Sequence, residues 1–166
     1  MEFQLSCRYT MIDKLLIILI TAVVVIGCKQ SPQELSSSPS ILKERIGDVR
    51  FSAISDSDVV KVGRFKKMGA NFVLDPYQKT LSAEEKQKIR AFLLNDKGFI
   101  FDKHKKCLFI PEIEYIFYGN QEVRVAVSTS CQQIKFTDAE GSYVLDYDPM
   151  GEEFTNFSRT IIDNKP

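Results

Sequence analysis

Apolar and polar positions alternate most regularly in the second half of the chain. Ile113, Tyr115 and Phe117 alternate with Glu112, Glu114 and Ile116, and beyond Gly119-Asn120 the residues Val123, Val125 and Val127 alternate with Arg124 and Ala126. Period two is the signature of a strand with one buried face, so the segment predicts a β-hairpin. Its register follows from keeping that face pure, because a slip of one residue would send every apolar side chain to water. A two-residue loop would set Glu114 against Val125. A three-residue loop, Gly119-Asn120-Gln121, pairs Phe117 with Val123, Tyr115 with Val125 and Ile113 with Val127, and is preferred. A further hairpin is expected from Gln133–Phe136 and Ser142–Leu145, joined through Asp138-Ala139-Glu140-Gly141. Asp48–Ile54 also alternates (Val49, Phe51 and Ala53 against Arg50 and Ser52) and is expected to be extended. Lys61–Met68 fits a strand or a loop, and Asn71–Tyr77 reads as a short strand stopped by Pro76.

Two segments show helical spacing instead. Ser82 and Glu85 form a capping box that opens a helix over Ser82 to about Asn95, with Ile89, Phe92 and Leu93 as its apolar stripe. Glu84, Lys86, Lys88 and Arg90 form a solvated face, and Gly98 is available for a left-handed turn after the helix. The second helix spans Pro149 to Ile162. Asp148 is its expected cap, and Met150, Phe154, Phe157 and Ile161 recur along one core-facing stripe. Together these elements predict an α+β fold: a small antiparallel sheet of about four to six strands with two packed helices, in a single domain over residues 46–166.

Composition removes several functions without naming one. Among 166 residues, 22 Lys and Arg balance 22 Asp and Glu, and no long basic stripe offers the field that nucleic acid requires. Hydrophobic residues at 44% and charged residues at 27% suit a folded domain. With a single His and no G-x-S-x-G, P-loop or G-x-G-x-x-G, the chain offers no catalytic residues and no cofactor motif. Glu112 and Glu114 share a strand face, as on a solvated sheet. Charge is uneven, with six acids and no Lys or Arg from Phe136 to Ser158 (the stretch 138–153 among them) and four Lys from Lys97 to Lys106. These are opposite poles, or they neutralise each other in space.

The N-terminus supplies an address. Lys14 precedes Leu15 to Gly27, thirteen residues without a charge, which is short of the ~20 needed to span a bilayer and suits a signal-peptide core. The run ends in Val25-Ile26-Gly27-Cys28, which resembles the lipobox of bacterial lipoproteins. The resemblance implies removal of residues 1–27, with Met11 as the true start, and acylation at Cys28. It also implies permanent attachment to membrane lipid in a bacterial cell envelope. Cys7 then has no role in the mature protein. Residues 28–45 hold the lipidated Cys and a flexible tether; Lys29–Ser40 contains five Ser and two Pro, and with the next few residues spans roughly 20–25 Å.

The hairpin register also reaches the remaining cysteines. Continued outward it opposes Cys131 to Phe109, two residues from Cys107 and on the same face, and Pro111 marks a bulge that absorbs the offset. An exported domain meets oxidising conditions, so a Cys107–Cys131 disulfide is expected. His104, Cys107 and Cys131 fall short of the four ligands of structural zinc, and Asp146 to Gly151 begins like a calcium loop but carries Met150 and Phe157 where ligands belong. No metal is assigned. The order Cys, apolar-Phe-apolar-Pro, hairpin, Cys is similar to small bacterial envelope proteins without assigned activity. The functional expectation is a non-enzymatic binding or structural module on the envelope, with an envelope protein as a possible partner and no nucleic acid. The alternatives are an inhibitor of an envelope hydrolase, acting through a rigid loop such as Asp102–Lys106, and an unrecognised enzyme or thiol-redox protein.

Overall fold

The structure is a computed structural model and describes residues 40–103 and 105–163. In chain order it places α1 (Ile41–Ile46), α2 (Asp48–Asp56), β1 (Val59–Met68), β2 (Asn71–Thr80), α3 (Ala83–Leu93), β3 (Ile113–Tyr118), β4 (Val123–Ser128), β5 (Gln133–Asp138), β6 (Gly141–Asp146) and α4 (Gly151–Asp163). Short 3-10 turns occupy Asp96–Gly98 and Asp148–Met150. The strands form one antiparallel six-stranded sheet in the order β2-β1-β3-β4-β5-β6. The fold is α+β, as the pattern of periodicities implies.

The preferred register of the β3–β4 hairpin is the observed one, with Phe117 opposite Val123, Tyr115 opposite Val125 and Ile113 opposite Val127. Those side chains are buried against Ile54 of α2, Ile89 and Leu93 of α3, and Phe154 and Ile161 of α4. Phe154 sits at the centre, its ring 5.3 Å from Phe92 and edge-on to Tyr147 at 5.2 Å. The phenol of Tyr115, buried in this core, donates to Ser158 Oγ at 2.8 Å. The capping box of α3 is present in both directions, with Ser82 Oγ accepting from the Glu85 amide and the Glu85 carboxylate accepting from the Ser82 amide. The β5–β6 hairpin also forms where expected, closed by the pair Asp138–Gly141.

Several expectations are corrected. Folded structure begins before residue 46: α1 starts at Ile41, buries Leu42 and Ile46, and is held at its start by Asp96, which accepts from Ser40 Oγ and the Ile41 amide. Asp48–Ile54 is helical in α2, not extended. Its alternation covers only a few residues, whereas burial along α2 recurs at helical spacing, at half-buried Arg50, buried Ala53 and Ile54, and Ser57 at its end. Gly47, at φ 87°, turns the chain between the two helices.

Pro76 does not stop β2, which continues to Thr80. The register with β1 shifts between Gly63 and Phe65, so Asp75, Pro76 and Tyr77 lie in an irregularity on an edge strand where no ladder donor is needed, and the Asp75 carboxylate takes up the Tyr77 amide. Gly98 forms no left-handed turn. It lies within a 3-10 turn so close to Met150 that a Cβ there would stand 2.6 Å from the Met sulfur. The last helix starts at Gly151, after a 3-10 turn containing Pro149, and Asp148 does not cap it because its carboxylate pairs with Lys105. Arg90 is not part of a solvated face. Its guanidinium donates to the carbonyls of Ile54 and Ser57, which fastens α3 to the end of α2.

Candidate functional site

Between the Asp96–Gly98 turn and β3, residues 99–103 and 105–112 cross the end of the sheet without regular secondary structure. Their path is fixed by fastenings to β6 and to the β4–β5 turn. The Ile100 amide donates to the Asp146 carbonyl at 2.9 Å. The Lys105 amide donates to Asp146 Oδ2 at 2.9 Å, and the Lys105 ammonium pairs with Asp148 and reaches the Cys131 carbonyl at 3.1 Å. Cys107 and Cys131 form the expected disulfide across a Cα separation of 6.3 Å. At the far end, the Glu112 amide donates to the Val127 carbonyl at 2.9 Å, while its carboxylate accepts from the Ser130 amide at 2.9 Å and from the Thr129 hydroxyl.

The β4–β5 turn is itself held in place. Gln132 adopts a left-handed backbone at φ 51°, and its carbonyl accepts from the Tyr147 amide at 2.9 Å. Tyr147 is buried beneath the turn with its hydroxyl 3.3 Å from the Ser128 carbonyl, and burial pushes its phenol up to about 12. Arg159 of α4 adds a bond to Thr129 Oγ1 at 3.1 Å. Asp146 is 2% exposed and divides its oxygens between Gln133 Nε2, at 2.8 Å, and the loop amide of Lys105. Partial burial raises the Glu112 carboxyl, but the bonds from Thr129 and Ser130 together outweigh it, so Glu112 titrates below its ordinary value.

Within these fastenings lies a stretch whose ends are held and whose backbone is left without partners among the described residues. No backbone group of residues 106–111 makes a hydrogen bond among the described residues. Leu108, next to the disulfide, is 79% exposed, more than any other large apolar side chain described. Phe109, Ile110 and Pro111 are half-buried and turn the segment back toward β3.

Two other surface features stand at opposite ends of β1. Near Val59, a cleft of about 480 Å³ opens between α2 and the β3–β4 turn, with Asp48, Asp56 and Asp58 at its rim. At the other end β1 leaves β3 behind: the two strands pair only from Val59 to Arg64, so the tip of the β1–β2 hairpin is a two-stranded arm. Met68, Phe72 and Val73 are exposed on it.

The residues singled out in the sequence are distributed as follows. Cys28, its lipobox and His104 lie outside the described residues. Cys107 and Cys131 meet in the disulfide, so neither sulfur is free to serve as a thiolate ligand for zinc. Asp146 and Asp148 face Gln133 and Lys105 rather than one another, and among the described residues no three His, Cys, Asp or Glu are grouped to hold a metal ion. In the Asp102–Lys106 loop, Asp102 and Lys103 are exposed while Lys105 is tied down, so part of the basic cluster is neutralised by the acidic stretch. Elsewhere in that stretch Asp138 accepts from Arg50 at 2.7 Å. Glu112 and Glu114 do not form a solvated pair. Glu114 is 5% exposed and 3.0 Å from Arg124, and burial raises its carboxyl despite that cation.

Leu108 and the acidic cleft had no signal in periodicity. The run Cys107-Leu108-Phe109-Ile110-Pro111 carries no polar position to mark which side chain faces out, and the structure leaves Leu108 exposed beside the disulfide. No protein-family model, no curated protein and no solved structure matches this chain.

Proposed function

We propose that the protein is a lipid-anchored binding module of a bacterial envelope, in which a small α+β head is carried on an acylated Cys28. The observation that carries this reading is Val25-Ile26-Gly27-Cys28 closing a run of thirteen uncharged residues, Leu15–Gly27, a leader too short to serve as a spanning helix. The Cys107–Cys131 bond supports it, since disulfides persist in exported proteins and are rare in the cytosol. The part assigned to the head is binding rather than catalysis. The carboxylates at the disulfide end are committed to structure, Asp146 to Gln133 and Lys105, and Glu112 to Thr129 and Ser130.

Fatty-acid labelling of the full chain in a Gram-negative host tests the anchor. The wild type is expected to incorporate label, to partition with membranes, and to gain the mass of acyl chains on a chain beginning at Cys28. Cys28→Ser is expected to remain unlabelled as the longer precursor. An unlabelled wild type that keeps its first residues would overturn the reading.

A further inference from the structure

We propose that residues 106–111 are a substrate-like loop that occupies the cleft of an endopeptidase, with Leu108 filling its main specificity pocket. Three observations converge on this stretch. Among the described residues its backbone groups make no hydrogen bond, so an extended cleft can add them to a ladder as it would a substrate strand. Leu108 is 79% exposed and stands clear of the domain, where an aliphatic pocket can close around it. The flanks are pinned, by Lys105 to Asp146 on one side and Glu112 to Ser130 on the other, with Cys107 bonded to Cys131 beside the exposed leucine.

The pinning separates an inhibitor from a substrate. A free peptide must be ordered when it enters a cleft, whereas this loop is ordered by the fold, so binding escapes most of that entropy cost. The disulfide and the Glu112 bonds would also hold both sides of a cleaved bond in place, so that the ends stay together in the enzyme. Other exposed apolar groups lack this combination. Met68, Phe72 and Val73 sit on strands whose backbones are paired with each other in the β1–β2 ladder. The inference rests on the binding-module reading and names its partner, but it does not depend on acylation at Cys28.

The test is a titration of the mature chain against chymotrypsin-, elastase- and subtilisin-like endopeptidases that cleave after aliphatic residues, followed with small fluorogenic substrates. Competitive inhibition of at least one is expected, with an inhibition constant below about 1 μM. Leu108→Asp is expected to weaken it by about 100-fold or more, and Leu108→Lys to transfer inhibition to a trypsin-like enzyme. Since Leu108 is exposed, both variants should melt with the wild type, and intact mass should show the disulfide retained. The proposal is overturned if the wild type inhibits none of these enzymes, if Leu108 variants inhibit as well as the wild type, or if the loop is cleaved at the rate of an ordinary peptide. Each of these results is independent of lipid labelling at Cys28, so this inference and the anchor can fail separately.

Discussion

The 106–111 loop and the β1–β2 arm both show apolar side chains to solvent, yet they are built in opposite ways. The arm's two strands satisfy one another, and its outer edge is broken at Asp75-Pro76-Tyr77, where a proline without a donor and an amide taken up by Asp75 discourage pairing with another strand. The loop has no ladder of its own. Its backbone is open while its flanks are fixed by a covalent bond, buried Asp146 and Glu112. Exposure of an apolar residue is therefore not informative alone; what separates the two regions is whether the backbone beneath it is already used.

The contrast predicts that fold stability depends on the loop's fastenings and hardly at all on the arm's tip. The largest effect is expected from replacing Cys107 and Cys131 together by Ser. The unfolded chain then regains the freedom of the closed loop, at a cost of roughly 3–4 kcal/mol by chemical denaturation. Hydrogen exchange should accelerate across residues 99–112 and stay unchanged in β1 and β2. Asp146→Ala comes next, at about 2 kcal/mol, because it strands the Gln133 side chain and the Lys105 amide in a site that is 2% exposed.

Glu112→Gln should cost about 1 kcal/mol at neutral pH, allowing for the partial exposure of the site. The effect has a definite pH dependence. Glu112 titrates below its ordinary value of 4.5 in the fold, so its ionised form stabilises the protein above that pH. That contribution is lost as pH falls through the folded value, and the variant and wild type should converge in acid. Glu114 behaves oppositely. Burial raises its carboxyl, so its favourable contribution belongs to low pH and disappears as pH rises through the folded value. Glu114→Gln should therefore lose less stability than the wild type as pH climbs past 4.5, which thermal melts across pH 3–7 would show. Smallest of all, Met68→Ser or Phe72→Ser should change stability by no more than about 0.5 kcal/mol. A larger loss would mean that the arm's tip is packed and would erase the contrast.

Much of the fold was legible because the informative patterns are local and strong. The register of the β3–β4 hairpin, the Ser82–Glu85 capping box and the Met150–Phe154–Ile161 stripe each follow from side chains that have one way to reach a shared core. Errors arose where a short pattern competed with a longer one or with a distant partner. Five alternating residues in α2 yielded to burial at helical spacing, through Arg50, Ala53, Ile54 and Ser57. Asp148 left its expected cap for Lys105, 43 residues away. Arg90 left solvent for two carbonyls of another helix.

The amino-acid order by itself determined the α+β class, the β3–β4 register, the disulfide pairing and the resemblance at Cys28, because periodicity and spacing constrain which side chains can share a face. Only the tertiary structure decided that residues 106–111 are held open and that Leu108 points outward. Apolar residues in sequence record a tendency to be buried. Which of them is left in water depends on where distant fastenings, here Asp146, Cys131 and Ser130, force the backbone to run.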